Sequence, residues 1–284
     1  MLLIKPIKKN LLMKKITLSL YILLYTSMQA QISNVVPNSQ STANAGVSDM
    51  QRWSAFANPA ALSLLEEAEA GLAFENRYML SELSTKSIDF ALPTKYFNTG
   101  ISASHFGFAT YHELMVGVAF ARDFSTRFSF GVEFNYLSTY FAESNRYFGI
   151  LFPQIGIQTR LSPSIHLGFS VFNPFQSHIV YGQNIKRLPS IFSLGGSYFF
   201  SDALVIRMQA DKEISSNYRL AAGIEYTMLE KLQFKAGVED AGFLVPTLGF
   251  GVITDRLRLD LNTGLHPILG LVSSAAVRYR FHSR

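Results

Sequence analysis

Serine and histidine come close together in the sequence at three places: Ser102 and Ser104 beside His105, His166 with Ser170, and Ser177 next to His178. An imidazole that takes the proton from a serine hydroxyl makes a nucleophile for acyl transfer. That chemistry also needs a third group to orient the imidazole, and donors for the oxyanion. Neither is identifiable here, and six histidines in 284 residues produce such neighbours by chance. There is no metal-ligand spacing, no phosphate-binding loop and no dinucleotide fingerprint. With no cysteine, disulfide and thiol chemistry are also absent. The expectation is a protein that is not an enzyme, with no catalytic residue, no metal and no cofactor.

A second set of residues with chemical potential is charged: Arg127, Glu133, Arg207, Asp211, Arg219, Glu225, Lys235, Glu239, Arg258, Asp260 and Arg278. Their spacing reveals the elements that carry them. Between Arg127 and Tyr136, the apolar Phe128, Phe130, Val132, Phe134 and Tyr136 alternate with Arg127, Ser129, Gly131, Glu133 and Asn135. A period of two describes a strand with a different environment on each face. The apolar face is strongly aromatic, and the pattern recurs in segments of roughly ten residues separated by turns, which is the signature of a membrane barrel facing lipid outside and a polar lumen inside.

Strands are predicted near 67–78, 83–95, 98–107, 110–122, 126–139, 146–161, 164–172, 189–200, 202–212, 216–227, 231–240, 244–254, 256–264 and 272–282. Alternation is weak at 98–107, 146–161 and 189–200, so a count of twelve or thirteen also fits. The fold class is all-β: a closed antiparallel transmembrane β-barrel, with fourteen strands favoured by the connections. Even-to-odd connections such as Ser162-Pro163 and Ser201-Asp202 are tight, whereas odd-to-even ones include the long Asn173–Leu188 segment. Short periplasmic turns and longer external loops sort this way when both chain termini are periplasmic. Buried charges are costly unless paired. The inward residues therefore predict a lattice of Arg/Lys–Asp/Glu pairs filling a small lumen, with a polar conduit as the alternative.

Residues 1–30 read as a cleaved secretory signal peptide: Lys14 and Lys15, an apolar stretch from Ile16 to Met28, then Met28-Gln29-Ala30. After it there is no run of about eighteen apolar residues, as a transmembrane helix needs. The whole chain has a formal charge of +5, from 25 basic and 20 acidic residues. Five of the lysines, and no acid, lie in residues 1–30, so cleavage leaves 20 of each sign and removes the case for a nucleic-acid partner.

Residues 31–66 are rich in Ser, Asn, Gln and Ala and alternate poorly. Asn58, Pro59 and Ala60 open a short helix there, asparagine as its cap and proline at its first position. Residues 67–284 form the barrel. Ten glycines, Gly71, Gly117, Gly131, Gly156, Gly168, Gly195, Gly223, Gly237, Gly249 and Gly251, share the inward phase. Glycine in a strand marks a bend or a close backbone approach, so barrel curvature or an internal segment packed on the wall is expected. Pro153 and Pro246 lie inside predicted strands; each removes a ladder donor and predicts an opened or bulged pairing, a possible wall gap. Tyr-Phe pairs at 96–97, 140–141, 147–148 and 198–199 are expected in the outward aromatic girdles.

The segments Ser41-Thr42-Ala43-Asn44-Ala45-Gly46-Val47-Ser48-Asp49 and Ala57-Asn58-Pro59-Ala60-Ala61-Leu62 resemble the region before the first strand in one outer-membrane family. That family joins the FadL-type fatty-acid transporters with the PorV/PorQ proteins of type IX secretion. Leu188-Pro189-Ser190, Ala222-Gly223-Ile224-Glu225-Tyr226, Lys235-Ala236-Gly237-Val238 and Val277-Arg278-Tyr279-Arg280-Phe281 are similar as well. The resemblance implies a fourteen-stranded barrel in a Gram-negative outer membrane, with residues 31–66 folded into the lumen as a hatch. It leaves two functions open. One is transport of a small hydrophobic or amphipathic molecule, released through a gap in the wall. The other is an accessory of secretion that binds exported or surface proteins. The charge-rich lumen argues against a long greasy tunnel and the short loops against a large docking surface, and transport leads.

Overall fold

The computed structural model describes residues 42–50, 57–125, 127–240 and 242–281. The expected signal peptide and the remainder of the expected hatch segment lie outside these. Fourteen strands close an antiparallel barrel. The first seven are β1 (Ala68–Arg77), β2 (Leu80–Leu92), β3 (Asn98–Phe108), β4 (Tyr111–Ser125), β5 (Phe128–Phe141), β6 (Arg146–Ser162) and β7 (Ile165–Phe172). A separate hairpin of β8 (His178–Tyr181) and β9 (Asn184–Arg187) follows. The wall resumes with β10 (Ile191–Phe199), β11 (Leu204–Glu213), β12 (Tyr218–Met228), β13 (Leu232–Asp240), β14 (Leu244–Ile253), β15 (Leu257–His266) and β16 (Gly270–Phe281). Neighbours in sequence pair, β10 pairs with β7 across the hairpin, and β16 pairs with β1 to close the ring.

Alternation decides which way each residue points. On β5, Phe130, Phe134 and Tyr136 are 37%, 47% and 49% exposed on the outside, while Ser129, Glu133 and Asn135 are buried inside. Each barrel strand carries at least one large exposed apolar side chain, from Leu72 on β1 to Val277 on β16. An apolar belt continuous around a closed sheet is far larger than the patches soluble proteins tolerate. No helix among the described residues is long and apolar enough to cross a membrane; a barrel crosses with strands.

The loop-length parity rests on one connection. The 173–190 segment, which contains the hairpin, is long, but 78–79 and 109–110 on the same end are as tight as turns on the other, and 93–97 on the turn end exceeds 142–145. Pro153 and Pro246 do not bulge their strands: pairing runs unbroken through Phe134↔Pro153 and Val238↔Pro246. Register shifts fall instead at Asn76/Arg77, Asp123/Ser125 and Arg160/Ser162, next to tight turns. Each proline does stand at the end of a ladder on its other side. Pairing of β6 with β7 stops at Gln154↔Phe172, and that of β14 with β15 at Thr247↔Gly264.

Candidate functional site

The interior divides into a charged wall, a seated N-terminal segment and an apolar column. The charged wall runs over β11–β16 and β1–β2. Arg219 donates to Glu239 at 2.8 Å and pairs with Asp211 at 2.5 Å; Arg207 donates to Glu225 at 3.3 Å. Lys235 meets Asp260 at 2.6 Å, with Arg258 at 2.8 Å from the same carboxylate. Arg278 holds Asp89 at 2.9 Å and Glu69 at 3.5 Å. The Lys235–Asp260 pair crosses over β14, one strand between them. It can do so because Gly251 stands beneath, where a Cβ would lie 2.9 Å from Asp260 Oδ1. Of the eleven charged residues read as inward, ten point in. Arg127 does not: it sits in the turn before β5 and is exposed, because β5 begins only at Phe128.

Two described N-terminal stretches, 42–50 and 57–65, pack against the inner wall where its glycines leave room. Thr42 and Ala43 lie on Gly223 and Gly237, Val47 on Gly168 and Gly195, and Asn58-Pro59-Ala60 on Gly131 and Gly156. A Cβ at Gly131 would come within 2.6 Å of Ala60 N. Polar contacts tie the same stretches to the wall: Arg207 to Asp49 at 3.4 Å, Arg219 to the Ala43 carbonyl at 2.8 Å, and Gln158 to the Val47 carbonyl at 3.0 Å. Asn98 on β3 donates to the Leu62 and Leu65 carbonyls, both at 2.9 Å. Asn58 caps the helical turn Pro59–Leu64, its Oδ1 accepting from Ala60 N at 3.0 Å. Its Nδ2 donates to Val47 O at 2.8 Å and Ile157 O at 3.2 Å, joining both stretches to β6. The turn is 3₁₀ rather than α, as suits six residues.

The apolar column is a short band on β4–β7, made by Met115, Leu137, Phe152 and Phe172 and bounded by polar rungs on either side. Directly opposed residues on one face touch, so the inward rungs of β4 and β5 read in order from the loop end: Glu113/Thr139, Met115/Leu137, Gly117/Asn135 and Ala119/Glu133. Lys186 of the hairpin reaches the first rung, donating to Glu113, to Thr139 at 3.1 Å and to Tyr111 at 2.8 Å. Ile179, its cross-strand partner on β8, is buried beside it. Tyr181 stacks on Phe141 at 4.6 Å and lies 5.7 Å from Phe148. The hairpin therefore covers the loop-end mouth over Met115, Leu137, Phe152 and Phe172, the last two in edge contact at 4.9 Å.

Beside this column the wall is interrupted. N–H and C=O of one strand residue face the same neighbour. Pro153 O accepts from Asn173 N at 3.1 Å, so the donor that proline lacks is the one owed to β7. The Asn173 carbonyl takes the Ser190 hydroxyl instead, at 2.8 Å. Asn173, at φ +50°, then turns the chain off the wall into the hairpin. Above that point, Arg146–Phe152 of β6 pairs with β5 alone among the described residues.

No protein-family model matches this sequence, and no match to a curated protein was found. Solved structures do resemble the fold. A FadL homologue from Pseudomonas aeruginosa aligns over 89% of this chain and 99% of its own, with TM-score 0.67 and 13% identity. CymD, a monoaromatic hydrocarbon channel, gives 0.61 over 88% and 98% at 12% identity. The toluene transporter TbuX of Ralstonia pickettii gives 0.60 over 88% and 99% at 13% identity. The chain has the barrel architecture of these FadL-type proteins.

Within that barrel the serine and histidine neighbours separate. Ser102 points inward and donates to Glu133 at 3.1 Å, while His105 faces out and stacks on His112. Ser170 holds Gln154 at 3.1 Å, and His166, two rungs away, packs on Phe199. Ser177 lies in the loop, bonded through its backbone to Asn173, and His178 is exposed. The expected girdle also splits: Tyr140 and Tyr147 stay with the outer aromatic cluster, but Phe141 and Phe148 face the hairpin. Adjacent strand residues cannot share a face, so the alternation itself held that signal. The hairpin and the role of Lys186 in it have no signal in the sequence, because strands of four residues are too short to show a period.

Proposed function

We propose that this chain carries a small hydrophobic or amphipathic molecule across the outer membrane. The molecule enters at the loop-end mouth beneath the hairpin and leaves sideways into the bilayer beside Pro153. The observation that carries this reading is the stretch of β6 that pairs with β5 alone next to the apolar column, since a route for an apolar molecule needs both a dry surface and an interruption in the hydrogen-bonded wall. The charged side of the barrel is unsuited to that task, its carboxylates and cations being committed to one another and to the N-terminal stretches. Barrels of the same architecture described as hydrocarbon channels and toluene transporters support the reading. Outer-membrane lipid is then the receiving phase and the neighbour of the aromatic belt. The secretion-accessory reading, with an exported or surface protein as partner, gains no support from those structures.

The test is uptake of radiolabelled toluene by cells carrying the Phe141→Cys, Tyr181→Cys double variant. Uptake should exceed that of cells lacking the protein, fall when a short thiol cross-linker pins the hairpin, and return with a cleavable linker once it is cut. Uptake no faster than in cells without the protein would overturn the proposal.

A further inference from the structure

We propose that a dent in the lipid-facing wall over β10–β13 holds one phosphate-bearing lipid, its acyl chain in the dent and its phosphate on Lys212. The site lies on the outside of the barrel and is independent of the route through the lumen. Large side chains dominate the lipid face, but Gly196, Ala210 and Ala222 break it on three adjacent strands. Their chain neighbours Ser197, Asp211 and Ala221 are buried inside, which puts all three outside. Register gathers them: Ala210 lies between Leu194 and Leu220, and Ala222 between Met208 and Val238. The result is a cavity of about 620 Å³, walled by those four apolar side chains and bordered by Asp240 and Leu244. Ligand sites have this size and this mostly apolar lining with few polar groups. An empty dent forfeits the contacts its lining would make, and on a bilayer-facing wall the group that fills it is a flexible acyl chain.

Charge complementarity specifies the rest of the lipid. Among the described residues, Lys212 is the one outward cation on β10–β13 and Asp240 the one outward acid. Lys212 stands one rung from Ala210 toward the loop end, between Phe192 and Tyr218. Its Nζ lies 4.8 Å over the Tyr218 ring and donates to the Ser216 carbonyl at 2.6 Å. Aromatic girdles mark the level where lipid headgroups begin. An ammonium has three donors, so a phosphate at that level meets a cation held in place by a ring, with donors beyond the one given to Ser216. Asp240 lies two strands away on the rung of Ala210 and accepts from Gly242 N at 2.9 Å. Its charge keeps the phosphate on the β11 side of the dent.

The test is native mass spectrometry of the protein purified from outer membranes. It is titrated in micelles with dioleoyl-phosphatidylglycerol, or with dioleoylglycerol, which has the same chains and no phosphate. The unaltered protein should retain one phosphatidylglycerol and hold it about fivefold more tightly than dioleoylglycerol, the scale of one lysine at a lipid surface. Lys212→Met should erase that preference. Ala210→Leu with Ala222→Leu adds apolar side chains on the lipid-facing side, which leaves the barrel folded, and should abolish retention of both lipids. A smooth ladder of bound lipids, unmoved by either variant, would mean an unspecific lipid shell and would overturn the assignment. Displacement by millimolar inorganic phosphate would overturn it too, giving Lys212 to a soluble anion. A dimer split by the double leucine variant would give the dent to a second copy of the chain instead.

Discussion

Lys235 and Asp260 show how single residues hold this interior together. Their side chains are 0% and 1% exposed, and they meet across the glycine strand β14. Removing one partner of a buried pair strands the other charge, at a cost of about 3–5 kcal/mol, whereas replacing both with apolar residues is often neutral. Asp260→Leu, which takes away the carboxylate shared by Lys235 and Arg258, should therefore lower folding stability by about that much, whereas Lys235→Met should cost less because Arg258 still pairs with Asp260 at 2.8 Å. Urea titration of refolding into detergent micelles measures both. The glycines make a complementary case. Gly156 lies under Asn58 and Pro59, and a Cβ there would sit 2.8 Å from Pro59 Cδ. Gly156→Leu should cost the seated stretch about 1–3 kcal/mol by overpacking, while β6 keeps its backbone ladder. Single-channel conductance in planar bilayers should rise with no change in heat-modifiable gel mobility; unchanged conductance would mean that the segment does not limit the lumen.

At the scale of elements, the hairpin β8–β9 is the piece whose position depends on few contacts. Lys186 anchors it to Glu113, Tyr111 and Thr139, and Tyr181 adds a ring contact with Phe141. Lys186→Met keeps the length of the side chain and removes its charge. It should free the hairpin, so that limited proteolysis cuts near Gly182 at least several-fold faster while the barrel core remains resistant; an unchanged rate would show that the ring contact suffices. All fourteen wall strands were legible in the sequence, because a lipid-facing side and a polar side force a period of two. The weak stretches are informative for the same reason. In 146–161 the period fades where Phe148, Ile150 and Phe152 face an apolar interior, so both faces of β6 are greasy there. In 189–200 it fades at Gly195 and Gly196, one seating Val47 and the other facing out. The alternation was lost where the interior departs from a plain polar lumen. The hairpin escaped because four-residue strands are too short to show a period, and the ladder ending at Pro153 because a missing donor has no direction until its neighbour is known.

For the whole molecule, orientation decides whether the mouth under the hairpin admits a ligand or releases it. The long 173–190 connection and the hairpin share one end of the barrel, and the turns 163–164, 200–203 and 254–256 share the other. Barrels of this type expose longer connections outside and keep short turns in the periplasm. With the other loops nearly equal at both ends, one segment carries that inference. A cysteine at Gln183, the hairpin tip, should react with an impermeant maleimide on intact cells, and one at Ser201 should react only after the outer membrane is opened. The parent sequence has no cysteine, so each label reports a single position. The reverse pattern would place the hairpin in the periplasm. It would turn the apolar column into an exit vestibule and make the stretches on Gly131 and Gly156 the barrier that an incoming molecule meets first. Either pattern fixes the direction in which a molecule passes the apolar column, and so whether that band meets what enters or what leaves.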